Sequence, residues 1–329
     1  DDVDNIFIGK GLADALDVGV GDRVTLTGRS LHEQMRQRTM TVIGIFDLGM
    51  ADFEKSTIYI SLAEARAMDP IQRLLLEVVY ETFANAGYSS DAVKGSNTAV
   101  FAGDIQTDYY TRAGAGSFQE ESFKDMLVRG NLKMFHAARV SRQFNLKGSV
   151  ALVETACSST LVAVHLACNE LILGNADYAL VCGVNLYLSP YKDNPQDLDM
   201  WSPDGKSRAF SARANGLSRG EAAAAILLKP LENALKDNDI IHAVIKSTVV
   251  NNNASRGEKV GSPDSFSQAE LIEKAWEKAG IDPTALGYIE ANGTGTVLGD
   301  ALEVEALNMA FRKYTGKNHI CPISTVKSN

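Results

Sequence analysis

Two patterns of apolar and polar positions divide the chain near residue 67. Upstream, "NIFIGK", "GDRVTLTG", "RTMTVIGIFDLG" and "STIYISLAEA" read as short strands separated by turn residues, around one brief helix at "GLADALDV". Residues 1–66 are therefore expected to form a small β-rich module. From "DPIQRLLLEVVYETFANAGY" onward, helical patterns of roughly 12 to 20 residues alternate with strands that read as buried. These strands are "NTAVFAGD", "GSVALVET", "ADYALVCGV", "AAAAILLKP", "HAVIKSTVV" and "HICPISTV". The alternation predicts a layered α/β domain over residues 67–329. Within it, the near-continuous hydrophobicity of "SVALVE" and "DYALVCGV" predicts two central strands buried on both faces. No Pro/Gly/Ser-rich linker, repeat or low-complexity segment marks the boundary, which rests on the change of pattern alone.

Composition narrows the function classes. With 329 residues, 45% of them hydrophobic and 22% charged, the chain has material for two or three domains with packed cores. A net charge of -9 and a pI of 5.2 exclude the clustered basic face of a nucleic-acid binder, so no nucleic-acid partner is expected. The longest run of small apolar residues, "AAAAILL", falls far short of the roughly 18 residues that cross a bilayer, so no membrane span is expected in this chain. Cys157, Cys168, Cys182 and Cys321 lie far apart without metal-ligand spacing. That usage predicts a reducing, cytoplasmic setting, no disulfide framework and no bound metal. The chain opens at Asp1 and stops at "STVKSN" within an apparent strand-to-loop transition, so native ends are expected to be missing. The lack of a signal peptide accordingly says little.

Through "IFIGKGLADALDVGVGDRVTLTG" and "VIGIFDLGMADFEKSTIYISLAEA", residues 1–66 resemble the extracytoplasmic β-rich core of ABC-transporter permease subunits of the lipoprotein-releasing type. Such permeases need membrane helices on both sides of that core, and the sequence offers none. Three alternatives stand beside the resemblance. The segment is an unrelated β module supporting the larger domain, or the chain is a catalytically inactive chimera with its seam at "AEARAMDP", or it is an interaction module derived from a permease.

The strongest chemical signal is "GSVALVETACSSTLVAVHLACNELILGN". An apolar β-branched run leads into Cys157, and helical periodicity starts directly after it. Strand, tight turn and helix place Cys157 where a nucleophile elbow presents its side chain above a sheet, facing the first unpaired N–H groups of the helix. A helix N-terminus favours the thiolate. Cys168, mid-helix, and Cys182, mid-strand, instead read as small buried hydrophobes. His165 lies eight residues after Cys157 on the same helix. That is roughly 12 Å of rise, too far for proton exchange with the thiol. His32, His136, His242 and His319 read as ordinary packing or surface residues, with His242 and His319 opening strands.

Residues 67–329 resemble the ketosynthase (beta-ketoacyl synthase) domain of polyketide and fatty-acid synthases, within the thiolase-like superfamily. Five ordered motifs carry the likeness: "AMDPIQRLLLE", "VETACSSTLVAVHLAC", "SPDGKSRAFSARANGLSRGEA", "IEANGTGTVLGDALEVEAL" and "VKSN". The resemblance implies a layered α-β-α-β-α fold, incomplete here, and a homodimer. It implies acyl groups delivered on the phosphopantetheine arm of an acyl carrier protein, with no cofactor bound directly. Its nucleophile falls on Cys157, its pantetheine-contacting threonines on Thr294 and Thr296, and its lysine supporting a second catalytic histidine on Lys327.

Three departures qualify that likeness. The histidine expected before "GTGT" is Asn292, the second histidine would fall three residues beyond Asn329, and Ala222 stands where the family's "RGEG" has its last glycine. A ketosynthase first moves an acyl group onto cysteine, then decarboxylates a malonyl thioester whose carbanion attacks the acyl group. The second step needs the histidines, and an asparagine amide neither accepts nor delivers a proton. "ANGTGT" is thus similar to ketosynthases that transfer acyl chains without elongating them. Relaxed selection on an inactive fragment would leave the same residue.

Overall fold

The computed structural model describes residues 5–9, 13, 16–29, 35–46, 68–104, 109, 128–187, 200–256 and 261–328. The chain forms two compact units, residues 1–95 with 106–146, and residues 96–105 with 147–329.

In the first unit, β1 (Asn5–Gly9), β2 (Arg23–Arg29) and β3 (Met35–Phe46) form a sheet in the order β1-β3-β2. β1 runs parallel to β3, and β2 runs antiparallel to it. The strand expected at "STIYISLAEA" lies outside the described residues, as does half of "GLADALDV". Helix α1 (Pro70–Asn85) starts where the pattern places it, because Asp69 accepts from the Ile71 N–H at 2.8 Å and Pro70 needs no donor partner. Ile71, Leu75, Val79 and Phe83 recur every four residues and bury one stripe of α1. After α2 (Ser90–Val93), the unit is completed by α3 (Phe135–Gln143), which packs on α1. Phe83 meets Phe144 edge-on at 5.3 Å between ring centres.

The second unit is layered, as expected. Its main sheet has the order β5-β4-β6-β7, from β4 (Thr98–Asp104), β5 (Val150–Val153), β6 (Tyr178–Asn185) and β7 (Ala222–Leu228). β4 is parallel to β5 and β6, whereas β7 is antiparallel to β6. Helix α4 (Ser159–Ile172) covers one sheet face through Ala163 and Ala167, which pack with Ala99, Phe101, Val153, Ala179 and Val181. Alternate residues of β4 and β6, such as Val100, Leu180 and Cys182, are equally buried on the other face. Farther on lie α5 (Leu231–Lys236), α6 (Ser265–Ala279), α7 (Val297–Arg312) and the short parallel pair β8 (Ile289–Glu290) and β9 (Ile323–Ser324). Trp276 on α6 packs against Phe311 on α7 at 4.8 Å.

Three strand expectations need correction. "DYALVCGV" is central and buried as β6, but "SVALVE" forms β5 at a sheet edge, with Val150 40% exposed. An apolar run carries no information on how many strands lie beside it, and at this edge it leaves only Val153 buried. "AAAAILLKP" forms β7 at the opposite edge and is largely exposed, since alanines are apolar by count while offering little area to bury. "HAVIKSTVV" has no strand partner among the described residues, so a pattern suited to a strand stays outside any ladder. His242 and His319 therefore do not open strands; His319 instead lies in a bend at φ 54°. Among the described residues no helix is long and apolar enough to cross a membrane.

Candidate active site

The turn between β5 and α4 is built by hydroxyls. Ser158 Oγ donates to the carbonyl of Thr155 at 2.7 Å, Ser159 Oγ donates to that of Ala156 at 2.7 Å, and the Thr155 N–H donates to Ser159 Oγ at 2.8 Å. This crossed set closes the chain so tightly that Ala156 adopts φ 53°, a left-handed conformation that a non-glycine residue takes only when its surroundings impose it. The next residue, Cys157, is exposed at the head of α4. The "SST" that follows the cysteine is thus the lock of the elbow.

Beneath the turn, Gly103 on β4 and Gly183 on β6 face each other in register. A side chain at Gly103 would place its Cβ 2.7 Å from the Thr160 nitrogen, and one at Gly183 would come 2.7 Å from Thr160 Oγ1. The two glycines let the first turn of α4 lie directly on the sheet, which fixes the height at which Cys157 is presented.

The other predicted site residues gather on the loop from β8 to α7. Parallel pairing of β8 with β9 brings residues 289–290 beside 323–324, and this carries Lys327 to Asn292. Lys327 Nζ donates to the main-chain oxygen of Asn292 at 2.5 Å and to its Oδ1 at 3.0 Å. Thr294 and Thr296 share a hydroxyl hydrogen bond of 2.9 Å. Among the described residues no hydrogen bond links Cys157 to this group.

Residues that the sequence reading did not single out hold the loop. Glu303 accepts from the N–H groups of Asn292 (2.6 Å) and Gly293 (2.8 Å), while the buried Asp300 accepts from those of Gly295 (3.0 Å) and Phe210 (2.7 Å). Ser207 Oγ donates to the carbonyl of Thr294 and accepts from the Ser218 N–H, tying residues 207–218 to the same loop. The signal was available: two acids in the opening turns of a helix that follows a glycine-rich stretch are placed to receive unpaired loop N–H groups. Tyr288 donates to Glu290 Oε2 at 2.5 Å, and that bond, with the Val326 N–H and the Lys327 charge, holds the Glu290 carboxyl below its ordinary range. Ala222 takes an ordinary ladder position opposite Asn185.

Cys182 is buried as expected, whereas Cys168 is only half-buried. His165 is held structurally, Nδ1 by Thr248 Oγ1 at 2.8 Å and Nε2 by the Asn169 amide at 3.1 Å. Burial pushes the Cys182 thiol up to about 12 and raises those of Cys168 and Cys321. A neutral-pH alkylating reagent should therefore label Cys157 first in the folded chain, and Cys182 only after unfolding. Peptide mapping over a time course checks this order, and Cys182 labelled at the rate of Cys157 would contradict it.

A cysteine elbow over a mostly parallel, two-sided sheet and, within the same unit, a glycine-rich loop held by acids fit the thiolase-like ketosynthase fold. The chain belongs to the beta-ketoacyl synthase family: residues 17–234 match its N-terminal domain and residues 242–329 its C-terminal domain. It is 40% identical over 278 residues to the compactin diketide synthase mlcB of Penicillium citrinum, covering 84% of this chain and 10% of that protein. To the polyketide synthase PksM of Bacillus subtilis it is 39% identical over 285 residues, covering 86% and 6%. Among solved structures it resembles the ketosynthase from module 6 of the bacillaene synthase of Bacillus subtilis 168, with TM-score 0.72, 37% identity and coverage of 81% of this chain and 46% of that one. It also resembles ketosynthase twelve of the bacillaene synthase of Bacillus amyloliquefaciens, with TM-score 0.75, 31% identity and coverage of 82% and 47%. The chain thus spans a small fraction of its curated relatives and about half of the solved ketosynthases. The permease resemblance is not supported, since the synthase match already begins at residue 17, inside the segment that suggested it.

Proposed function

We propose that this chain is the acyl-accepting part of a polyketide synthase ketosynthase that transfers acyl groups without elongating them. An acyl carrier protein presents its phosphopantetheine thioester near Thr294 and Thr296. The Cys157 thiolate adds to the thioester carbonyl, the carbon–sulfur bond to pantetheine breaks, and the pantetheine sulfur takes up the proton that Cys157 gave up. The acyl group then leaves by the reverse reaction to the thiol of a second carrier. The family resemblance extends this reading to a cytoplasmic homodimer, with no cofactor besides the carrier's own arm.

The observation that supports the non-elongating part is the identity and setting of Asn292. It stands in the "GTGT" loop where condensation calls for a proton-handling side chain, and an amide handles none. An amide offers the developing enolate only a neutral N–H, and weakening of a comparable oxyanion donor costs up to on the order of 10²- to 10³-fold in rate. Acyl transfer, which needs chiefly a thiolate and helix N–H groups, is far less exposed to that loss. Exchange of a labelled acyl group between two carrier proteins tests the reading. Exchange above the uncatalysed rate, abolished when Cys157 is alkylated, supports it, whereas no exchange rejects it.

A further inference from the structure

We propose that Asn292 is a site of self-catalysed deamidation, with Glu303 as the base and Lys327 as the electrophilic partner. The sequence holds two Asn-Gly pairs, Asn215–Gly216 and Asn292–Gly293, and in each the asparagine is exposed while the glycine is buried. An asparagine followed by glycine closes on itself most readily, because no Cβ on the following residue obstructs the approach of its nitrogen to the asparagine Cγ. The two pairs differ in what holds that nitrogen. The Gly216 N–H donates to the Gly295 carbonyl at 3.0 Å, an acceptor that takes up no proton near neutral pH. The Gly293 N–H donates to Glu303 Oε2 at 2.8 Å, and a carboxylate does accept a proton. The carbon under attack is polarised in both pairs. Asn292 Oδ1 accepts from the Lys327 ammonium at 3.0 Å, and Asn215 Oδ1 accepts from Ser202 Oγ at 3.0 Å and from Arg208 at 3.3 Å. An ammonium carries only donors, so the Asn292 atom that faces Lys327 is the oxygen, and Nδ2 is free to leave.

The reaction balances with water as its only co-reactant. Glu303 takes the proton of the Gly293 nitrogen as that nitrogen bonds to Asn292 Cγ. Negative charge develops on Oδ1 against the Lys327 ammonium, which its second bond to the Asn292 main-chain oxygen holds in place beforehand. The bond from Cγ to Nδ2 then breaks, the proton held by Glu303 returns through solvent to the departing nitrogen, and ammonia leaves a five-membered imide. Water opens the imide at either carbonyl, giving aspartate or isoaspartate. Aspartate would pair its charge with Lys327, whereas isoaspartate would lengthen the backbone between β8 and α7 by one carbon.

The test is a time course of the folded chain at neutral pH, with peptide mapping that separates asparagine, aspartate and isoaspartate at both pairs. Asn292 should convert at least about tenfold faster than Asn215, the lower end of what a positioned base contributes. In denaturant, where both pairs meet only solvent, the two rates should converge. Glu303→Gln keeps an acceptor for the loop N–H groups but supplies no base, so it should bring the Asn292 rate down to that of Asn215 and leave Asn215 unchanged. Lys327→Met should lower the Asn292 rate as well, and Lys327→Arg should retain most of it. Thermal melts identify any variant that has lost its fold, and the comparison of the two pairs within the parent chain needs no variant. Equal conversion of the two pairs in the folded parent overturns the proposal. Conversion of Asn292 that is unchanged or raised in a folded Glu303→Gln variant also overturns it, because Glu303 would then clamp the loop without acting as a base.

Discussion

Cys157→Ala is expected to abolish the acyl adduct completely while leaving the melting temperature within about 1 °C of the parent. The expectation combines three features of the elbow. Cys157 is exposed, so removing its sulfur opens no buried cavity. The hydrogen bonds that close the turn run among Thr155, Ala156, Ser158 and Ser159 and do not include the thiol. The competing thiols are disfavoured by burial, which pushes Cys182 to about 12 and raises Cys168 and Cys321. A single acyl mass increment should therefore appear in the parent and vanish in the variant. An adduct that persists in Cys157→Ala would assign the chemistry to another thiol.

Gly295→Ala should produce the largest loss of stability among single substitutions in the loop. Gly295 has φ 79°, and a Cβ there would stand 2.8 Å from the Arg208 nitrogen and 3.0 Å from the Gly216 carbonyl oxygen. Both neighbours are backbone and cannot swing away, and Gly216 is itself bound, its N–H donating to the Gly295 carbonyl at 3.0 Å. The left-handed conformation costs an L-residue about 1–2 kcal/mol, and overpacking adds about 1–3 kcal/mol. A total of about 2–5 kcal/mol is a large share of the about 5–15 kcal/mol that holds a domain folded. Denaturant melts should show it as a lower midpoint at unchanged slope. The loss should extend to acyl loading, because Thr294, Thr296 and Asn292 share the displaced loop. A melt unchanged by the substitution would mean that the loop is not clamped between residues 208 and 216.

How much of this was legible beforehand depended on whether the information was local. Strand-turn-helix order around Cys157 is written in consecutive residues, and the elbow was read correctly from them. β6 was placed at the centre because eight nearly continuous apolar residues leave neither face for water. The edge positions of β5 and β7 were not legible, because lateral neighbours are chosen by the whole sheet. The contact of Lys327 with Asn292 was equally hidden: 35 residues separate the two, and only the β8–β9 pairing joins them. Asp300 and Glu303 lie at the start of α7, where acids following a glycine-rich stretch receive its N–H groups, a weaker signal in the sequence than the "GTGT" threonines that precede them. The likeness of residues 1–66 to a permease failed for a different reason. Short alternating strands with glycine turns are common to many β-rich modules, and such a pattern identifies an architecture and not a family.

The central claim is that Cys157 is loaded and the loaded chain is not extended. The direct measurement is to load the protein with an acyl thioester, remove the excess, add malonyl-charged acyl carrier protein, and follow protein and carrier by intact mass. The account predicts that the acyl group is retained on Cys157 or moved to a carrier unchanged in mass, with no loss of CO₂ from the malonyl carrier above its spontaneous rate. A carrier-bound product longer by two carbons, formed at the expense of the Cys157 adduct, would contradict it.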